Sequence, residues 1–159
     1  MIIRIKKNAD GRTSLSCIRA DGTTTWQSLN GGQARFFPRH DLTHYAVETV
    51  LEQRHAFYGL VASGWDLADF GTPWPRGRIP IEANFTEAIV GFLDLERRTG
   101  ELARAEDVNQ RLAELSAGAG NAPAPVIRDA DLERVRRRRA ELFTEWDKLE
   151  PGDALELPF

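Results

Sequence analysis

Over the first thirty positions apolar and polar residues alternate. Beyond them the apolar positions recur at three and four, so a sheet-forming start gives way to a helical remainder. Residues 2–6, 13–19 and 23–29 read as strands. Asn8-Ala9-Asp10-Gly11 and Ala20-Asp21-Gly22 separate them, and Asp-Gly supplies the positive φ of a tight hairpin. The pattern predicts a three-stranded antiparallel meander ended by Asn30-Gly31-Gly32. A helix is predicted from Pro38, whose missing N–H costs nothing in a first turn, to about Gln53. The apolar stretch 55–63 continues it or forms a second helix, with Gly64 as stop.

Residues 65–80 read as an irregular aromatic loop, with Trp65, Phe70 and Trp74 set among Pro73, Pro75 and Pro80. Helices are predicted over 83–98, 105–115 and 129–149. In the last, Leu132, Val135, Leu142, Trp146 and Leu149 share one face. Residues 154–159 are a candidate fourth strand returning to the N-terminal sheet. The small residues of 118–125 read as a flexible linker before the last helix. The expected architecture is α+β: one domain over 1–159, an antiparallel meander packed with four or five helices.

A chain of 159 residues, 42 % hydrophobic and 28 % charged, is long enough for one real core. The net charge of −3 gives no global field for nucleic acid or an anionic membrane. Residues 1–80 carry 10 basic and 7 acidic groups, and residues 81–159 carry 11 and 17, so the N-terminal part better suits an anionic ligand. The single cysteine, Cys17, excludes a disulfide framework and a Cys-rich zinc site, and reads as a small buried hydrophobe. The first residues are too short an apolar run for a signal peptide, and no stretch is long enough to span a bilayer. The expected location is the cytoplasm. The arginine run 134–139 lies in a segment, 128–150, with 7 basic and 7 acidic groups, which reads as a solvated helix face laced with ion pairs.

The chemically loaded feature is His40-Asp41-x-x-His44-x-x-x-Glu48. Histidines four apart on a helix lie on one face about one turn apart, so two imidazoles can reach one metal ion. Glu48 is about 12 Å along the axis from His40, too far to share that ion, but it can orient the His44 ring. Both His44 and Glu48 share a helical sector with Val47 and Leu51, which predicts that they are at least partly buried. A third ligand must come from elsewhere. His55 is the first candidate, provided the chain breaks near residues 52–55, and Asp66, Asp69 and Glu87 are the others.

His40-Asp41-x-x-His44 resembles the zinc motif of a family of ubiquinone-biosynthesis proteins, which implies zinc. That motif continues through eleven residues to a glutamate. Here the position is Ala56, and His55 would have to serve instead. That family is all-helical, unlike the strand-forming start of this chain. The motif is loosely similar to that of zincin peptidases, with Asp41 where they carry glutamate. The longer string from Phe37 to Glu48 resembles one in small uncharacterised bacterial proteins, which implies no activity.

Two functions from different classes follow. The first is a zinc-binding protein with His40, His44 and His55 as ligands; as an enzyme it would be a hydrolase acting on a small molecule, with Asp41 or Glu48 as base. The second is a non-enzymatic interaction module. Its C-terminal helix would pair with another protein or another copy, and its His/Glu cluster would be a buried polar network. Binding of a small anion beside His40 and Arg39 is a third reading.

Overall fold

Both Asp-Gly turns close as hairpins in the computed structural model, which describes residues Met1–Phe159. Strand β1 (Ile2–Lys7) pairs antiparallel with β2 (Thr13–Ile18), and β2 with β3 (Thr24–Leu29). Gly11 and Gly22 sit at φ 81° and 83°, where a side chain would be strained. The C-terminal segment forms β4 (Ala154–Pro158) beside β1, so the sheet order is β3-β2-β1-β4. The register sets Ile3 opposite Cys17 and Leu157, and Ile5 opposite Leu15 and Leu155. Ile3, Ile5, Leu15 and Cys17 are buried on one face, while Ile2, Ile18 and Trp26 are exposed on the other. The helices therefore cover a single side of the sheet, giving the α+β architecture.

Five helices fill that side: α1 (Gly31–Val50), α2 (Phe57–Ala62), α3 (Ile81–Thr99), α4 (Ala105–Gly118) and α5 (Asp129–Lys148). A short 3-10 turn, Leu67–Phe70, lies in the aromatic loop. Helix α1 is central, packed against β2, α2, α3 and α5. Every residue from Asp41 to Glu48 is buried. A helix enclosed on all sides keeps no solvent stripe, which is why its apolar positions show no clean period.

Helix α1 also starts earlier than its proline suggests. It begins at Gly31, and Pro38 lies inside it, unable to donate the helical bond to the Ala34 carbonyl. The helix ends with Glu52 in the left-handed region at φ 56°, while the Gln53 N–H donates to the Glu48 carbonyl at 2.9 Å. That closes a Schellman turn and breaks the chain before His55.

The apolar face of α5 is spent inside the chain: Leu132, Val135, Leu142 and Trp146 are all buried, and α5 packs on α1. The arginine run is not all solvated. Arg136 and Arg139 turn inward and converge on Glu96 of α3, whose carboxylate also accepts the Ala103 N–H at 3.0 Å. Arg139 further donates to the Leu93 carbonyl at 2.6 Å, and Arg136 to that of Ala103. Residues 119–128 leave α4 without regular structure, and the Asn109 side chain pairs with both backbone groups of Ile127. No helix is long and apolar enough to cross a membrane.

Two predictions follow from this packing. Glu96→Ala strands two half-buried guanidinium groups and is expected to lower unfolding free energy by about 3–5 kcal/mol, whereas Arg138→Ala, an exposed-pair deletion, costs under about 1 kcal/mol. Urea unfolding checks the contrast, and equal losses would remove Glu96 as the joint. Burial, reinforced by Asp41, pushes the Cys17 thiol up to about 12 from 9.0. Its contribution to stability is intact below pH 9 and is lost as pH rises from there toward 12. Iodoacetamide at pH 8.5 is accordingly expected to spare the folded protein and label Cys17 only in denaturant; fast labelling of the native state would show the thiol to be accessible.

Candidate metal centre

Helix α1 sets His40 and His44 one turn apart, with ring centroids 4.8 Å from each other. Helix α3 faces them with Glu87 and Asp94, which are seven residues apart and so share a helix face two turns apart. The pairing is antiparallel. His40 Nδ1 lies 2.8 Å from Asp94 Oδ2, and His44 Nε2 lies 2.9 Å from Glu87 Oε2. On the other edge of its ring, His44 Nδ1 is 3.4 Å from Glu48 Oε1. That contact is too poorly aligned to count as a hydrogen bond, and Nδ1 is a buried nitrogen without an acceptor. The Glu48 interaction is therefore one of charge more than of hydrogen bonding.

His40, His44 and Glu87 bring one ligand atom each to within 4.8 Å of one another. Tetrahedral ligands of a zinc ion stand about 3.3 Å apart, given metal–ligand distances of about 2.0–2.2 Å. The three lie somewhat wider than that, and Glu87, with its side chain 59 % exposed, is the member least held by packing. His40 keeps Nδ1 toward Asp94 and leaves its other nitrogen unengaged, while at His44 an ion would take the place of the Nε2 contact to Glu87.

Electrostatics tie the group together. Burial would depress His44, but Glu48 and Glu87 on either side push it up to about 10. The hydrogen bond to His44 holds Glu87 below the usual carboxylate range. Burial works against ionisation of Asp94, yet His40 and Arg97 hold it low. Asp41 goes the other way: burial lifts it to about 7 against the opposing influence of His40 and His44.

A cavity of about 320 Å³ opens beside the group. Phe37, Phe57 and Phe70 form much of its wall, and His40, His44, Asp41 and Glu87 form its polar side. Of the two carboxylates considered as a base, only Asp41 reaches this cavity. Glu48 is fully buried, and its oxygens accept the N–H groups of Tyr58 and Gly59, each at 3.1 Å. It fastens the start of α2 to α1. Gly59 is required there, since a Cβ would stand 2.0 Å from the Arg54 carbonyl oxygen.

The remaining expectations fall elsewhere. His55 is exposed in the turn after α1 and is not part of the group; the third residue close enough to hold an ion with His40 and His44 is Glu87. Asp66 and Asp69 brace the 3-10 turn, where Asp66 is held by Arg19 and Asp69 by Arg76. Arg39 pairs with Asp147 of α5, away from the cavity, which removes the cation from the anion-binding reading. The sequence reading missed Asp94 as the partner of His40. Its seven-residue spacing from Glu87 was the available signal.

The double role of Glu48 is testable by stability. Glu48→Ala leaves two buried amides without an acceptor and a buried imidazolium with Glu87 as its one remaining carboxylate, and is expected to cost about 3–5 kcal/mol, while Glu48→Gln, which keeps one acceptor, costs less. Denaturant unfolding of the two variants checks this, and equal, small losses would show that neither contact matters.

Comparison with protein-family models, with curated proteins and with solved structures finds no match for this chain.

Proposed function

We propose that this protein binds a divalent transition metal, zinc by preference, through His40, His44 and Glu87. The observation that carries the reading is the arrangement of carboxylates. His40 has Asp94 behind it in a hydrogen bond and His44 has Glu48 beside it at ion-pair distance, while His44 Nε2 already meets Glu87 and the three candidate ligands lie within 4.8 Å of one another. Carboxylate-backed histidines are the usual setting of protein metal ligands, because the partner fixes the ring and its tautomer. Two nitrogens and one oxygen suit zinc.

Three protein ligands beside a cavity, with room for a water, favour a catalytic centre over a closed structural one, and the chemistry is that of a hydrolase. A metal bound there supplies polarisation of a carbonyl and acidifies water. Asp41 is the base on the cavity side. It takes a proton from water as the water oxygen bonds to the carbonyl carbon, and returns it to the leaving nitrogen or oxygen as that atom's bond to the carbonyl carbon breaks. A second reading has one observation in its favour: a proton on His44, held between Glu48 and Glu87, satisfies the cluster without an ion. The cluster would then be a structural polar network in a non-enzymatic protein.

Zinc titration of protein prepared without a tag separates the two. One equivalent is expected to bind the wild type and raise its Tm, contributing about 2.7 kcal/mol at a hundredfold excess over Kd. His44→Ala is expected to lose both effects, and apparent affinity is expected to rise with pH as the His44 proton becomes easier to displace. Stoichiometric zinc retained in His44→Ala would overturn the assignment, and no uptake by either protein would favour the structural network.

A further inference from the structure

The wall of the cavity has a chemistry of its own. His44 packs on Phe57 with ring centroids 5.3 Å apart, Phe57 on Phe70 at 4.7 Å, and Phe70 on Trp65 at 5.5 Å. His40 meets Phe37 edge-on at 5.8 Å. Each candidate ligand thus opens onto an aromatic surface, and Leu67 and Ile79 extend it. Facing this wall are two uncharged side chains able both to donate and to accept, Gln27 from β3 and Asn84 from the first turn of α3. No lysine or arginine lines the cavity. An anion entering it would meet Asp41 and Glu87, and the one charged partner it could seek, His44, already lies between Glu48 and Glu87. A cation would find Glu87 already engaged by His44 and only Asp41 left to meet it. At about 320 Å³ the space is at the small end of small-molecule sites.

We propose that this cavity binds an uncharged small molecule with a flat aromatic or similarly apolar body and one amide-like polar group, the body against Phe57 and Phe70 and the polar group toward Gln27 and Asn84. The substrate class of the hydrolase is then a neutral amide or ester of an aromatic acid. That last step rests on the metal-centre reading, while the preference of the wall does not.

The test is an NMR titration of the full chain, first treated with chelator, using benzamide, acetamide, benzoate and benzylamine. Benzamide is expected to shift the rings of Phe57 and Phe70 and the side-chain amides of Gln27 and Asn84, while acetamide, which has no ring, produces no saturable shift. Benzoate and benzylamine are expected to bind at least about tenfold more weakly, since benzoate would meet two carboxylates and benzylamine lacks the carbonyl that Gln27 and Asn84 can donate to. Phe70→Ala is expected to weaken benzamide about fivefold. Benzoate or benzylamine binding as tightly as benzamide would overturn the proposal, as would benzamide shifts lying elsewhere or absent. Zinc titration of the same sample reports the metal centre separately. Zinc uptake without benzamide binding removes the substrate class alone, and benzamide binding without zinc uptake removes the metal centre and leaves the pocket.

Discussion

A carboxylate taken wholly out of water must be matched by donors, and the way Glu48 is matched sets much of the arrangement around it. Its oxygens accept the first amides of α2 and lie beside the His44 ring. The contact to α2 fixes where the chain goes after α1 ends. It draws the turn 51–56 back over the helix and places Phe57 against His44. The backbone of that turn at Arg54 runs so close to the start of α2 that residue 59 has no room for a Cβ. With α2 held there, the loop that follows brings Leu67 and Phe70 over the histidines, and the cavity acquires its apolar wall. Arg19 holds the same loop from the sheet side through the carbonyls of Val61 and Trp65.

The second constraint is the antiparallel contact between α1 and α3. A four-residue step on α1 is matched by a seven-residue step on α3, so His40 finds Asp94 and His44 finds Glu87. Both helices are anchored away from the site. Helix α3 is pinned to α5 through Glu96 and its two arginines, and α1 is packed against β2 and α5. The candidate ligands therefore project from helices and not from loops, the condition under which a few ångströms of separation carry meaning. The one pliable member, Glu87, is the one whose side chain is mostly exposed.

How far all this is legible in the sequence depends on whether the signal is local. The Asp-Gly hairpins, the returning strand β4 and the helices α3, α4 and α5 are each announced by residues within the element, and the structure holds them close to their expected positions. Helix α1 is harder. Its proline suggests a start at 38, but the helix runs through Pro38 from Gly31, a mostly exposed first part that leads into the enclosed stretch 41–48. The enclosure that stabilises it also erases the amphipathic period. The His40/His44 pair is legible because a helix brings both members together. The third ligand is not, since Glu87 is distant in sequence and is selected over His55 by the fold of the α1–α2 turn. Arg136 and Arg139 look like their neighbours in the run, and only the position of Glu96 on another helix turns them inward.

Asp41 and Glu48 show how one helix assigns two acids to two tasks. They are seven residues apart, hence on nearly one stripe of α1, and they flank His44 below and above. What differs is the element that closes over each. The start of α2 covers Glu48 and offers it two backbone N–H groups, so that acid becomes part of the framework. Over Asp41 there is the cavity, whose wall is aromatic and offers no such donors. Burial there raises the acid to about 7, into the range where a carboxyl can both take and give a proton near neutral pH. Here the difference arises from the path of the chain after α1, the path Glu48 itself fixes.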